Sequence, residues 1–245
     1  MNYHWNWPIL LQEGATGENS TYLGWIVHGF LITAALTLLA WIIALIFGTL
    51  FGVMRTLPGR VPRFIGMGYV SIFRNVPLIV QFFIWYFVVP ELLPRSMGDA
   101  IKSIDPAIQF FVTSVFALGV YTGSRICEQL RAGIQALDKG QVQAARAVGF
   151  TAAQTYRHII LPQVFRRILP PLTSEFLIIS KNSAVASTIG LLELSGEARQ
   201  LVDYTAQPYE SFIMVTMAYV ILNVVILQLM SWVRRLTARP GLMGE

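Results

Sequence analysis

The chain has little charge, a single cysteine, three scattered histidines and no phosphate-binding glycine loop. Each shortage removes a class of function. Asp, Glu, Lys and Arg make up 13% of the 245 residues, about half of the roughly 25% usual in soluble domains. With Cys127 as its only cysteine, the chain has no intrachain disulfide framework, and the thiol reads as a small apolar filler. His4, His28 and His158 are dispersed, and Cys127 has no partner at zinc-site spacing, so neither a metal centre nor an intrinsic enzyme is expected. No Gly-x-x-x-x-Gly-Lys-Ser/Thr run occurs, so any nucleotide hydrolysis must come from another chain. No internal repeat is visible either, which sets the chain apart from secondary transporters with two related halves.

What the chain does have is apolar residues in long runs, 55% of the total. A bilayer needs about 20 consecutive, mostly apolar residues. Runs at 25–53, 64–93, 107–124, 168–192 and 211–232 meet this to different degrees. The second is interrupted by 73-FRNVPLIVQ-81 and is expected to bend at Pro77, and the fourth contains Glu175, Lys181 and Asn182. The stretches 94–106 and 193–210 read as polar loops. This is an all-α transmembrane pattern of five spanning helices in one domain over 1–245. The start, MNYHWNWPILLQEG, lacks a basic head followed by an apolar core, so the first span itself is expected to direct insertion. Tyr3, Trp5 and Trp7 read as interface anchors.

Basic residues set the expected orientation. The loops at 55–63 and 125–167 and the tail after 232 hold 13 of the 18 lysines and arginines. The N-terminal segment and the two other loops hold only Arg95, Lys102 and Arg199. The first set is expected in the cytoplasm, which puts the N-terminus outside and the C-terminus inside. The formal net charge of +5 then expresses topology, not nucleic-acid binding.

Within the longest polar stretch, Ala144, Ala145 and Val148 are expected on one helical face. Gly149 suits a left-handed helix end. Residues 151–160 suit a second short helix that Leu161-Pro162 stops or redirects. The result is a compact helix-turn-helix for docking another protein, a coupling region over 138–162.

This stretch resembles the cytoplasmic signature of ABC importer permeases: Glu-Ala-Ala, three residues, Gly, nine residues, Ile-x-Leu-Pro. Here Gln143-Ala144-Ala145 is followed at the same spacing by Gly149 and by Ile159-Ile160-Leu161-Pro162. The departure is Gln143 in place of glutamate, which keeps hydrogen-bonding capacity and loses charge. The segments 73-FRNVPLIVQ-81, 119-GVYTGSRICEQLRAGIQALDKGQ-141, 161-LPQVFRRILPPL-172 and 181-KNSAVASTIGLLEL-194 resemble the polar-amino-acid branch, and the likeness covers nearly the whole chain. The resemblance implies a type I ABC importer permease in the bacterial inner membrane, carrying an amino acid, with glutamate and aspartate as the implied substrates. It also implies a paralogous permease partner in a heterodimer, a cytoplasmic ATPase dimer that holds ATP and Mg, and an external solute-binding protein. This chain itself would hold no cofactor. Importers of basic or neutral polar amino acids, and an ion-driven carrier or channel subunit, are the alternatives.

Six intramembrane polar residues carry two readings each. Arg74 and Asn75 either line the pathway or constrain the broken helix, unless Arg74 simply snorkels to the nearby surface. Arg125, beside Tyr121, Thr122 and Ser124, either attracts a carboxylate or anchors the helix end. Glu175 and Lys181 are six apart, off the helical pairing spacing, so with Asn182 they either gate a pathway or pair with other elements. Glu193, Glu197, Arg199 and Asp203 read as outward surface charges, available for receptor docking or simply solvated.

Overall fold

The computed structural model describes residues 3–15 and 20–237. Arg239, counted above with the basic tail, lies outside the described residues. After a 3-10 turn at Trp7–Leu11, the chain is helical: α1 (Tyr22–Met54), α2 (Arg60–Asn75), α3 (Leu78–Leu92), α4 (Arg95–Lys102), α5 (Pro106–Gln135), α6 (Lys139–Ala147), α7 (Ala152–Ile189), α8 (Leu194–Thr205) and α9 (Pro208–Thr237). Among the described residues, α1, α5 and α9 are long and apolar enough to cross a membrane. Up to five spans result if the bent pairs α2 with α3 and α7 with α8 each count as one.

The run at 64–93 is two helices. Val76 is extended (φ −92°, ψ 128°) because the residue before a proline is pushed out of the helical region, and Pro77 then caps α3. The loop expected at 94–106 contains α4, and the one expected at 193–210 is largely α8.

Proline did not stop α7. The helix runs on through Leu161-Pro162 and through Pro170 and Pro171. A π turn at Tyr156–Ile160 immediately precedes Pro162, and a second at Ile84–Val88 precedes Pro90. A proline ring clashes with the carbonyl four residues back, here on His158 and Tyr86. The wider π turn holds both residues and makes the room.

The chain divides into two compact units. One comprises Met1–Trp41, Pro77–Leu118 and Ile178–Val225, the other Ile42–Val76, Gly119–Leu177 and Ile226–Glu245. In the first unit, Leu10, Trp25 and Ile26 pack with Leu194, Ala198, Leu201 and Val215. Burying each large side chain contributes roughly 1.5–3 kcal/mol. In the second unit, α1 and α5 approach closely at Gly48 and Gly52. A Cβ there would stand 2.6 Å from Ile126 and 2.8 Å from Leu130, so the pair works as a small-residue face for helix contact. Tyr69 locks α2 onto α5 by donating its hydroxyl to the Val120 carbonyl at 2.6 Å.

Candidate functional site

The turn between α6 and α7 is built from local hydrogen bonds. Asp138 caps α6 by accepting from the Gly140 N–H at 2.8 Å. Gly149 ends the helix at φ +84°. Its N–H donates to the Arg146 carbonyl and the Phe150 N–H to the Ala145 carbonyl, both at 3.0 Å, the bond pair of a Schellman motif. Thr151 and Gln154 then close a capping box: Thr151 N–H donates to Gln154 Oε1 at 2.8 Å, and Gln154 N–H to Thr151 Oγ1 at 3.3 Å.

Two further bonds fix the turn to its unit. Gln163 donates to Gln141 Oε1 at 2.7 Å, and Tyr156 to Thr56 Oγ1 at 3.1 Å. Of the motif residues, Gln143, Ala144, Gly149 and Pro162 are exposed, Ile159 and Leu161 are half-buried, and Ala145 is buried. Ala144 and Val148 thus share an outer face, and Ala145 turns inward, so the three do not form one surface. The outer face offers small side chains and a fixed backbone to another chain.

A second feature is a pair of charge clusters in the same unit. Glu175 is buried, and its carboxylate accepts from Arg125 Nε and Gln129 Nε2, each at 2.7 Å. For Glu175 this is pairing with another element; Arg125, read as a carboxylate attractor or a helix-end anchor, here holds a carboxylate of the chain itself. Glu128 is shared by Arg55 at 2.5 Å, Arg131 at 2.9 Å and Arg74 at 3.8 Å. Burial disfavours the charge on Arg55, but the hydrogen bond and charge of Glu128 outweigh this and raise its pKa above the ordinary arginine value. Asn75 donates to the Ser71 carbonyl at 2.8 Å at the end of α2.

Lys181 and Asn182 belong to the other unit, where α7 tightens into a 3-10 turn at Ser183–Ile189. Lys181 is exposed, and no ion pair to it is formed among the described residues.

Glu193 and Glu197 are not surface charges. Glu193 is fully buried and caps α8, accepting from the Ser195 and Gly196 N–H groups at 3.0 and 3.1 Å and from Tyr219 at 2.7 Å. Glu197 is buried with one oxygen 3.0 Å from His28 Nδ1. Glu128 and Gln129 were not singled out from sequence either. The three-residue spacing of Arg125, Glu128 and Arg131 was the available signal.

Comparison with known proteins places this geometry. Residues 44–239 match the family described as binding-protein-dependent transport system inner membrane component. The chain is 51% identical over 245 residues to the glutamate/aspartate import permease protein GltJ of Escherichia coli (strain K12), covering 100% of this chain and 99% of that protein. It is 31% identical over 201 residues to the arginine transport system permease protein ArtQ of Bacillus subtilis (strain 168), covering 82% and 87%. A crystal structure of an amino acid ABC transporter with histidines superposes with a TM-score of 0.71 at 29% identity, covering 87% of this chain and 94% of that one. An inward-facing methionine ABC transporter, MetNI, gives a TM-score of 0.71 at 21% identity over 87% and 96%, a likeness of fold alone.

Proposed function

The chain belongs to the family of binding-protein-dependent transport system inner membrane components, and from that premise we propose that it is half of the translocation pathway of an ATP-driven glutamate/aspartate importer. Permeases of this family are non-catalytic, and a separate ATPase hydrolyses the nucleotide. The observation that carries the substrate assignment is the 51% identity, end to end, with a glutamate/aspartate import permease.

In this reading the N-terminus faces outward and the C-terminus the cytoplasm. A paralogous permease completes the pathway, a solute-binding protein delivers the amino acid, and an ATPase pair holding ATP and Mg docks on the turn over 138–162. The Schellman turn at Gly149 and the capping box at Thr151 make that turn stiff. Motion of the ATPase is then passed into α7 instead of being absorbed by the loop. Within the pathway, Lys181 and Asn182 are the polar groups offered to the substrate, since a carboxylate needs a cation or amide donors. Arg125 and Glu175 hold helices together, and Arg74 and Asn75 mark the break between α2 and α3.

The test is uptake into proteoliposomes containing this chain and its co-purifying subunits, with the matching receptor outside. ATP-dependent uptake of glutamate and aspartate, absent without the ATPase, is the expected result. Uptake of histidine or glutamine instead would keep the class and overturn the substrate. Uptake driven by an ion gradient alone would overturn the class.

A further inference from the structure

A cavity in the second unit lies outside this account. It has a volume of about 630 Å³, within the range of small-molecule sites. Its walls come from the segment just past α1, the start of α2, the end of α5 and the inner side of the coupling turn, and they include Arg55, Arg63, Arg146, Thr155 and Tyr156.

The charge around it is unbalanced. Glu128 is already shared among Arg55, Arg74 and Arg131, and Asp138, also in the wall, is engaged in capping α6. Arg63 and Arg146 form no ion pair among the described residues. The Nε of Arg55 is buried and has no hydrogen-bond partner. Arg63 and Arg146 thus bring unpaired guanidiniums to one hollow, beside Arg55, whose charge is held by Glu128. Their planar donor forks match the oxygens of a phosphate group.

The setting says which kind of phosphate. Arg55 directly follows Met54, the last residue of α1, a helix long and apolar enough to cross a membrane. Arg63 is exposed and lies one turn before the buried Gly66, Tyr69 and Val70 of α2, at the mouth of the cavity it lines. Beside it, Val61 and Phe64 are 70% and 77% exposed. A basic hollow at the end of a spanning helix, flanked by bare apolar side chains, offers a headgroup site and a surface for acyl chains together.

The geometry points to this cavity as a binding site for the phosphate headgroup of an anionic phospholipid, held behind the coupling turn. A lipid there would brace Arg146 and Thr155 of the turn against the ends of α1 and α2. The inference rests on the membrane-permease reading above, but its test reads lipid binding and not transport.

The assembled transporter is purified in detergent and titrated with phosphatidylglycerol or phosphatidylethanolamine, and bound lipid is counted by native mass spectrometry. Wild type is expected to retain phosphatidylglycerol about fivefold better, the factor for roughly one basic contact at a membrane surface. Arg63→Gln should abolish that preference and Arg63→Lys should keep most of it. Lys102→Gln, which removes a cation paired with Glu91 and absent from the cavity wall, should leave it unchanged. Equal retention of the two lipids, or an undiminished preference in Arg63→Gln, overturns the site. Binding of glycerol 3-phosphate through Arg63, with no phosphatidylglycerol retained, overturns the lipid and assigns a soluble phosphate instead. Glutamate uptake without lipid preference would sink this inference and leave the function standing. A lipid preference in a complex that carries another solute would do the reverse.

Discussion

Two of the polar stretches that interrupt this apolar chain satisfy their polar groups in opposite ways. In the turn over 138–162, hydrogen bonds mostly close over two to five residues: Asp138 to Gly140, Ala145 to Phe150, Thr151 to Gln154. The outer face, with Gln143 and Ala144, is left exposed. In the corner over 190–197, Glu193 and Glu197 are buried; one oxygen of Glu193 caps α8 locally, but the side chains that meet the two carboxylates come from far away in sequence. Tyr219 is 26 residues off, Thr33 is 160, and His28 is 169 from Glu197. A stretch that satisfies its backbone locally keeps its shape while its side chains remain free for another chain. A stretch satisfied at long range is part of the unit's own core, and its charges are not on offer.

The sharpest way to break this comparison is to remove Glu193. Glu193→Ala takes away the α8 cap and leaves two backbone N–H groups and the Tyr219 hydroxyl without their acceptor. The cap is those two N–H bonds and costs about 1 kcal/mol, and the stranded Tyr219 hydroxyl adds roughly 1–3 kcal/mol, so a loss on the order of 3 kcal/mol is expected. Thermal denaturation in detergent should show it, with poor recovery of monodisperse protein. Glu193→Gln keeps an acceptor at the cap and should lose less than half as much. A Glu193→Ala protein as stable as wild type would end the claim that this corner is structural.

Next in size is Arg125→Leu. It strands the buried Glu175 carboxylate with Gln129 as its remaining partner. Breaking a fully buried pair costs roughly 3–5 kcal/mol. Arg125 is 38% exposed, so solvent screening lowers the expectation to about 2 kcal/mol. Adding Glu175→Gln removes the stranded charge and should recover most of the loss. If the two substitutions instead add, they do not act on one interaction.

The turn was legible in the sequence because its information is local. The spacing from Gln143 to Pro162 contains the left-handed position at Gly149, and the Thr151–Gln154 box is a four-residue pattern that could also have been read. The corner was not legible: nothing within ten residues of Glu193 says that Thr33 and Tyr219 will enclose it. Pro162 misled for a related reason. The expectation that it ends a helix holds for α-helical register, and a π turn over Tyr156–Ile160 changes that register without a sequence period to reveal it. Arg125, Glu128 and Arg131 lay in plain view at helical spacing. Arg55, the closest partner of Glu128, comes from another helix end 73 residues away.

Gly149→Val addresses the other side of the comparison. At φ +84° a β-branched residue is strained by about 1–2 kcal/mol, less than the cost at Glu193. No neighbouring atom would touch the new Cβ within 4 Å, so the strain is confined to the backbone of the turn. ATP-driven uptake should fall severalfold in protein that still inserts and folds, with receptor capture unchanged. Normal uptake in a folded Gly149→Val protein would remove the turn from the coupling path.

The smallest effect belongs to Thr151→Ala, and it separates local from global most cleanly. The substitution removes one side of the capping box, worth about 1 kcal/mol, and the bond it breaks begins and ends within residues 151–154. Hydrogen exchange should therefore quicken over the first turn of α7 and stay unchanged at the Ser195 and Gly196 amides that Glu193 holds. Thr151→Ser restores the acceptor and should restore the protection. Faster exchange at Ser195 in Thr151→Ala would mean that the turn is tied into the wider fold as the Glu193 corner is. A coupling element tied in that way would be loosened by every event elsewhere in the chain, which is the property that a locally closed turn avoids.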